Sequence, residues 1–354
     1  MTTIVQRLDM MVRTTTAQEL FDRLGMTPLF GGILFAVLWG IAVLSVEAIT
    51  GRLFVERSGE QLETFLVELG LALILGELLV FVVAAMAAHE NRTDRTIEEL
   101  KMLPEVPRDG IARTELALND YGSVRLAVVA LSGFLFAFLA PILEFPIVGN
   151  YDAFNPAHWS PEVYVHRIVG PILGAGVALL VHVIISDSVR FWELAREITS
   201  IELTDLGRYM PFTNQGLSNA AIVIGFVAPF AFVAIVDRYV LLVASITLYG
   251  VVAALAGLFL PVWALRERIQ IEKAKEAAWC HERIPVERAA LRDAKPGAGQ
   301  DLAGLLMYLK EVNEVHAWPV APGGIARFTL FLLIPLGSWG GGALVERLVD
   351  SALG

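Results

Sequence analysis

"HRIVGPILGAGVALLVHVIISDSVRFWELAREITSIELTDLGRYMP" occupies residues 166–211. Its first part, 166–187, is apolar almost throughout, and about 20 such residues cross a bilayer as a helix. The second part contains charges, yet no Gly or Pro interrupts it from Ser186 to Leu206. A spanning helix that runs on into water is therefore expected, stopping at Gly207 and Pro211.

Outward from this stretch, similar runs recur at about 28–49, 65–88, 123–147, 217–236, 240–264 and 325–345. Together they make seven candidate spans. The fifth and sixth are separated by only Asp237, Arg238 and Tyr239, which implies a helical hairpin. Composition agrees, with 56% hydrophobic and 18% charged residues and a mean hydropathy of +0.62, against about 25% charged in soluble domains. The first run is too long for a signal-peptide core and reads as an anchor.

Basic residues fix the expected orientation. Segments 1–27, 89–122, 188–216 and 265–324 hold 3, 5, 3 and 9 Lys+Arg, or 20, whereas the alternate segments hold 4. This places the N-terminus in the cytoplasm and, after seven spans, the C-terminus outside. The net charge of −10 gives nucleic acid no basic face to bind. The single cysteine, Cys280, excludes a disulfide framework and a multi-cysteine metal site.

The expected architecture is thus an all-α membrane protein with a cytoplasmic helical bundle. Residues 1–27 form a cytoplasmic segment and 28–264 hold spans one to six, with an extension at about 186–210. Residues 265–323 form a cytoplasmic helical region, and 324–347 the seventh span. The sixth span should extend as a helix to Pro285, with the linker Ala294–Gly299 beyond it. Leu302, Leu305, Leu306, Leu309 and Val312 then mark an amphipathic helix. Phe191, Trp192, Leu194, Ile198, Ile201, Ile269, Ile271, Trp279 and Ile284 are too apolar to stand exposed together. One chain supplies few helices to cover them, so packing against further copies is expected.

Within the spans, Glu77 lies at mid-run, where a charge costs roughly 2.5–3.5 kcal/mol on insertion scales. It reads either as a protonated, hydrogen-bonded side chain or as an ion or ligand site. Glu68, nine residues earlier, falls on the opposite helical face. His182 is a further intramembrane polar group; its H-x4-D spacing to Asp187 puts the two about 140° apart on a helix, so the match to an acyltransferase pattern is chance. The aromatic-rich stretch 144–167 reads as an interfacial anchor or as a lid over an outer vestibule. Small residues four apart, Gly170 and Gly174, Ala253 and Gly257, Gly337 and Gly341, signal close helix approach.

The last run, "FLLIPLGSWGGGALVERL" (331–348), is weak as a helix. Glycine costs about 1 kcal/mol relative to alanine and proline about 3. At 100° per residue, Arg327, Phe331, Ile334, Pro335, Ser338, Gly341, Gly342 and Val345 share one face. Packed on its own chain, that face is core. At a symmetry axis it lines a conduit, with Phe331 and Ile334 as a hydrophobic gate and Ser338 and the glycines as a wider mouth.

Seven spans, an inside N-terminus, extensions on spans four and six and a short helix before span seven resemble the insect odorant and gustatory receptors. The resemblance is one of topology over most of the chain. It implies a tetrameric ligand-gated cation channel with the last span lining the pore. The Thr-Tyr signature of that family is missing from "FTLFLLIPLGSW" (328–339), so no functional residue is carried over. The Ala, Leu, Val and Gly content with one Cys is more like that of a bacterial inner-membrane protein than that of an insect receptor.

The expected function is a homo-oligomeric ion channel, open to gating by a small-molecule ligand and embedded in the plasma membrane. The alternatives are a proton- or cation-coupled transporter using Glu77, and a membrane scaffold or signalling partner. No G-x-S-x-G, H-E-x-x-H or P-loop pattern occurs, so no enzyme, cofactor or metal is expected.

Overall fold

The computed structural model describes residues 28–55, 60–118, 120–144, 161–230 and 240–319. Among them are eight α-helices and no strand. They are α1 (Pro28–Ile49), α2 (Glu60–Lys101), α3 (Arg108–Leu118), α4 (Ser123–Glu144), α5 (Pro161–Arg196), α6 (Met210–Val227), α7 (Val240–Arg292) and α8 (Ala298–Glu314). Short 3-10 turns occupy Arg52–Phe54 and Leu206–Tyr209.

Stretches long and apolar enough to cross a membrane lie at Leu69–Lys101 in α2, Arg167–Arg196 in α5 and Ser245–Arg292 in α7. The bent pair α3 and α4, at 52°, makes a fourth if counted as one span, while the apolar part of α1, Ile33–Ile49, is shorter. The chain is therefore a helical membrane protein, with three or four candidate spans among the described residues by this measure. The last expected span, 325–345, and the N-terminal segment 1–27 lie outside the described residues.

Helices α2, α5, α6 and α7 form the centre; α4 packs on α5, α1 on α2 and α8 on α7. Two apolar cores are stacked along these helices. The first, in the membrane half, includes Leu71, Leu78, Leu180, Ile184, Val223 and Leu258. The second, in the half carrying the helix extensions, includes Leu100, Phe191, Leu194, Phe212, Leu265 and Ile269.

Several expected boundaries move. α2 does not end near residue 88 but continues to Lys101. α5 stops at Arg196, ten residues short of Leu206. The β-branched segment after it finds tertiary partners for its backbone instead: Thr199 N–H donates to the Glu105 carbonyl at 3.0 Å. Arg268 donates to the carbonyls of Ile198 at 2.6 Å and Thr199 at 3.1 Å. Those bonds replace the helical ladder that propensity alone would give. α7 passes through Pro285 and ends at Arg292. Pro285 and His281 are both exposed, so the carbonyl left without its helical donor faces water. At 1.5 Å per residue α7 is about 80 Å long.

α8 forms where expected. Gly297, at φ +85°, makes the turn before it, a backbone region only glycine enters freely. Of the expected stripe, Val312 is buried, Leu302, Leu305 and Leu309 are half-buried and Leu306 is exposed.

The expectation that further copies must cover the extension helices is corrected in part. Phe191, Leu194, Ile198, Ile201 and Ile269 are buried within the single chain, because α3, the 197–209 segment and α8 close over them. Ile271 and Trp279 stay exposed, and Trp192 and Ile284 half-buried.

Candidate functional site

Between the two cores, α2, α5 and α6 change from apolar to polar at the same depth. On α2 the order is Ala85 in the first core, then His89, Thr93 and Thr96, then Ile97 and Leu100 in the second. His89, Thr93 and Thr96 sit at i, i+4 and i+7 and so share one face. On α5, Ile184 precedes Asp187 and Ser188, and Phe191 lies one turn further on. α6 runs the other way, from Phe212 through Thr213, Gln215 and Asn219 to Ala220. On α7, Gly257 lies among these groups and offers its carbonyl.

These side chains are out of water and bonded to one another. His89 and Asp187 are each 2% exposed. Nε2 of His89 lies 2.9 Å from Oδ2 of Asp187, and Nδ1 lies 3.1 Å from Oδ1 of Asn219. The Asn219 amide donates to Oγ of Ser188 at 3.0 Å and toward the Gly257 carbonyl at 3.5 Å. Gln215 donates to Asn219 Oδ1 at 3.2 Å and Thr93 Oγ1 at 3.1 Å, and accepts from Thr96 at 3.1 Å. Asn219 can come this close because Gly257 has no side chain; a Cβ there would sit 3.1 Å from the Asn219 Cβ.

The layer reaches the surface at one edge. Asp187 Oδ1 accepts from Tyr121 Oη at 2.7 Å and from Arg190 at 3.0 Å. The Arg190 guanidinium lies 4.5 Å from the Tyr121 ring centre and also donates to the Asp120 carbonyl at 3.0 Å. Burial, and then the neighbouring Asp187 carboxylate, push the Tyr121 pKa up, so the phenol stays a donor. Unpaired buried charge is expensive; here each charge has a partner of opposite sign and the neutral amides close the remainder.

A second arrangement concerns residues 313–319, which lead toward the last apolar run. Lys273 on α7 donates to the carbonyls of Asn313, at 3.1 Å, and Val315. Trp318 packs edge-on against Phe259 at 5.4 Å and Trp263 at 6.1 Å, and Arg266 sits 4.8 Å from its ring centre. Thr213, beside the polar layer on α6, donates to the Pro319 carbonyl at 2.9 Å. This strap is tied to both α6 and α7.

The residues singled out from sequence are not gathered here. Glu77 is exposed on the outside of α2, about three turns from His89. Glu68 lies on α2, with its side chain outside the described set. His182 is half-buried and its Nε2 is 3.5 Å from Ser186 Oγ, whereas Asp187 turns to His89, so His182 and Asp187 do not form a unit. Phe331, Ile334, Pro335, Ser338, Gly341 and Gly342 lie outside the described residues. Among the described residues, no three His, Cys, Asp or Glu side chains converge as a metal site would need.

Sequence reasoning does not single out His89, Gln215 or Asn219. The available signal was the i, i+4, i+7 polar stripe on α2 and the i, i+4 pair Gln215 and Asn219 on α6, at the ends of apolar runs. No known protein family, curated protein or solved structure matches the chain.

Proposed function

We propose that the protein is a homo-oligomeric ion channel of a cell membrane, with seven spans and the last apolar run lining a central pathway. The supporting observation is the strap at 313–319. It ties the segment that precedes that run to α7, which is continuous with the membrane half, and to α6 beside the polar layer. A movement of the extension helices would therefore be passed to the last run. The face carrying Phe331, Ile334, Pro335, Ser338, Gly341 and Gly342 has the sequence of a narrow apolar gate opening into a wider mouth. Assembly from several copies, a tetramer by the topological resemblance, supplies the axis. The alanine-, leucine- and glycine-rich composition supports a bacterial inner membrane as its location.

Purified protein in planar bilayers should conduct, and Phe331→Ala should raise the conductance several-fold by removing the bulk of the gate. An assembled Phe331→Ala protein that passes no ions would overturn the reading.

A cation- or proton-coupled transporter is the second reading, favoured by the ionisable groups held inside the bundle, with Glu77, on the outer face of α2, as the coupling residue that the sequence offers. In that case Glu77→Gln abolishes gradient-driven uptake into proteoliposomes. Uptake at the wild-type rate in Glu77→Gln would remove Glu77 from the mechanism.

A further inference from the structure

The hydrogen bonds around His89 determine how many protons it shares with Asp187. Ser188 spends its single hydroxyl proton on the Ile184 carbonyl at 2.7 Å, so toward Asn219 it can only accept. The Gly257 carbonyl, on the other side, also only accepts. Asn219 must therefore point its amide nitrogen at these two and its oxygen at His89. Gln215 supports the same orientation, since its own amide nitrogen donates to that oxygen. His89 Nδ1 then faces an acceptor and must carry a hydrogen. Nε2 faces the Asp187 carboxylate, also an acceptor, at 2.9 Å. A neutral imidazole has one N–H, so it can satisfy only one of these two contacts.

We propose that His89 and Asp187 together bind one exchangeable proton, and that this proton allows His89 to bond Asp187 on α5 and Asn219 on α6 at the same time. It resides on Nε2 or is shared with Oδ2, because Tyr121 and Arg190 both donate to the other carboxylate oxygen. Other ionisable groups near the pair are Arg190 and His182 on α5, Tyr121 before α4, and Glu90 on α2 itself; α6 and α7 present the Asn219 amide and the Gly257 carbonyl. When the proton leaves, through the edge at Tyr121 and Arg190 to water, two lone pairs face each other on one side of the ring. Either the His89–Asp187 or the His89–Asn219 contact must then open, while Thr93 and Thr96 keep α2 bonded to Gln215 on α6. This proton site involves only the described helices and is independent of ion conduction.

The test is solid-state NMR of full-length, 15N-histidine-labelled protein in lipid vesicles, with His89→Gln used to assign the His89 signals. In the wild type at pH 7, both ring nitrogens should carry hydrogen, or one should do so beside a protonated Asp187 carboxyl visible in the infrared. In Asp187→Asn, the new amide can donate to Nε2 while its oxygen keeps Tyr121 and Arg190. His89 should then be neutral, with hydrogen on Nδ1 alone, and the pH-dependent change in its signals should vanish. Should Asp187→Asn fail to fold, Tyr121→Phe serves: it removes one donor from Asp187 Oδ1 and leaves every partner of Asn219 in place, so the shared proton should persist to higher pH than in the wild type. A wild-type His89 with one N–H beside an ionised Asp187 at pH 7 would overturn the proposal. So would an Asp187→Asn protein whose His89 stays doubly protonated, or a Tyr121→Phe protein whose His89 signals change with pH as the wild type's do.

Discussion

Asn219→Leu should lower the stability of the bundle by about 3 kcal/mol. The side chain is fully buried and joins its helix to three others through four neighbours: His89 on α2, Ser188 on α5, Gln215 on its own helix and Gly257 on α7. Leucine has a similar volume, so the loss is one of hydrogen bonding more than of packing. It leaves an N–H of His89 and an N–H of Gln215 without an acceptor. A buried polar group without a partner costs about 1–3 kcal/mol, and more if charged. In membranes the cost is smaller, because the unfolded helices find other partners; the burial of both ring nitrogens keeps this case at the upper end. Denaturant unfolding in mixed micelles, followed by tryptophan fluorescence, reads the change. A loss below about 0.5 kcal/mol would mean that water fills the gap and that the layer is not a dry joint.

Gly216→Ala should separate α6 from α7. A Cβ at Gly216 would lie 2.5 Å from the Leu258 carbonyl oxygen and 3.2 Å from the Leu258 carbonyl carbon and Cα. These are backbone atoms of the facing helix, so no rotamer change relieves the contact and the helices must move apart. Overpacking of this kind costs about 1–3 kcal/mol. The same displacement would pull Asn219, three residues on, away from Gly257. Gly170→Ala is the control. Nothing lies within 4 Å of a Cβ built there, and alanine is the better helix former by about 1 kcal/mol. Thermal unfolding should place Gly216→Ala well below the wild type and Gly170→Ala at or above it. Equal midpoints for the two variants would show that the α6–α7 contact can yield.

The glycines illustrate what a sequence carries and what it omits. The four-residue spacing of Gly170 and Gly174 points to close packing, and Gly174 is indeed pressed on Gly133 of α4. Gly170 faces open space, whereas Gly133 and Gly216, each with an alanine four residues on (Ala137 and Ala220), are the ones pressed on a facing helix, although neither is among the pairs singled out from sequence. Spacing marks a helix face but does not say which turn meets a neighbour. The apolar runs were legible as helices because twenty apolar residues have few other uses. The end of α5 was not, because it is set by Glu105 and Arg268, residues far away in the chain.

The polar layer was illegible for a related reason. Its members lie on separate helices, each at the end of an apolar run where a polar residue is unremarkable. Only the stacking of α2, α5 and α6 at one depth brings His89, Asp187 and Asn219 together. Glu77 draws attention as a charge amid Leu and Val, yet α2 is apolar on nearly all sides there, so its sequence could not tell the inner face from the outer one. The structure puts Glu77 on the outer face.

A channel lined by the last run of each chain requires a shared axis. Native mass spectrometry of the full-length protein, released from lipid nanodiscs, counts the copies directly. A closed oligomer, a tetramer by the topological resemblance, is expected at every protein concentration that keeps the bilayer intact. A monomer under those conditions would rule the channel out, since no single chain could then place its last apolar run around a central pathway.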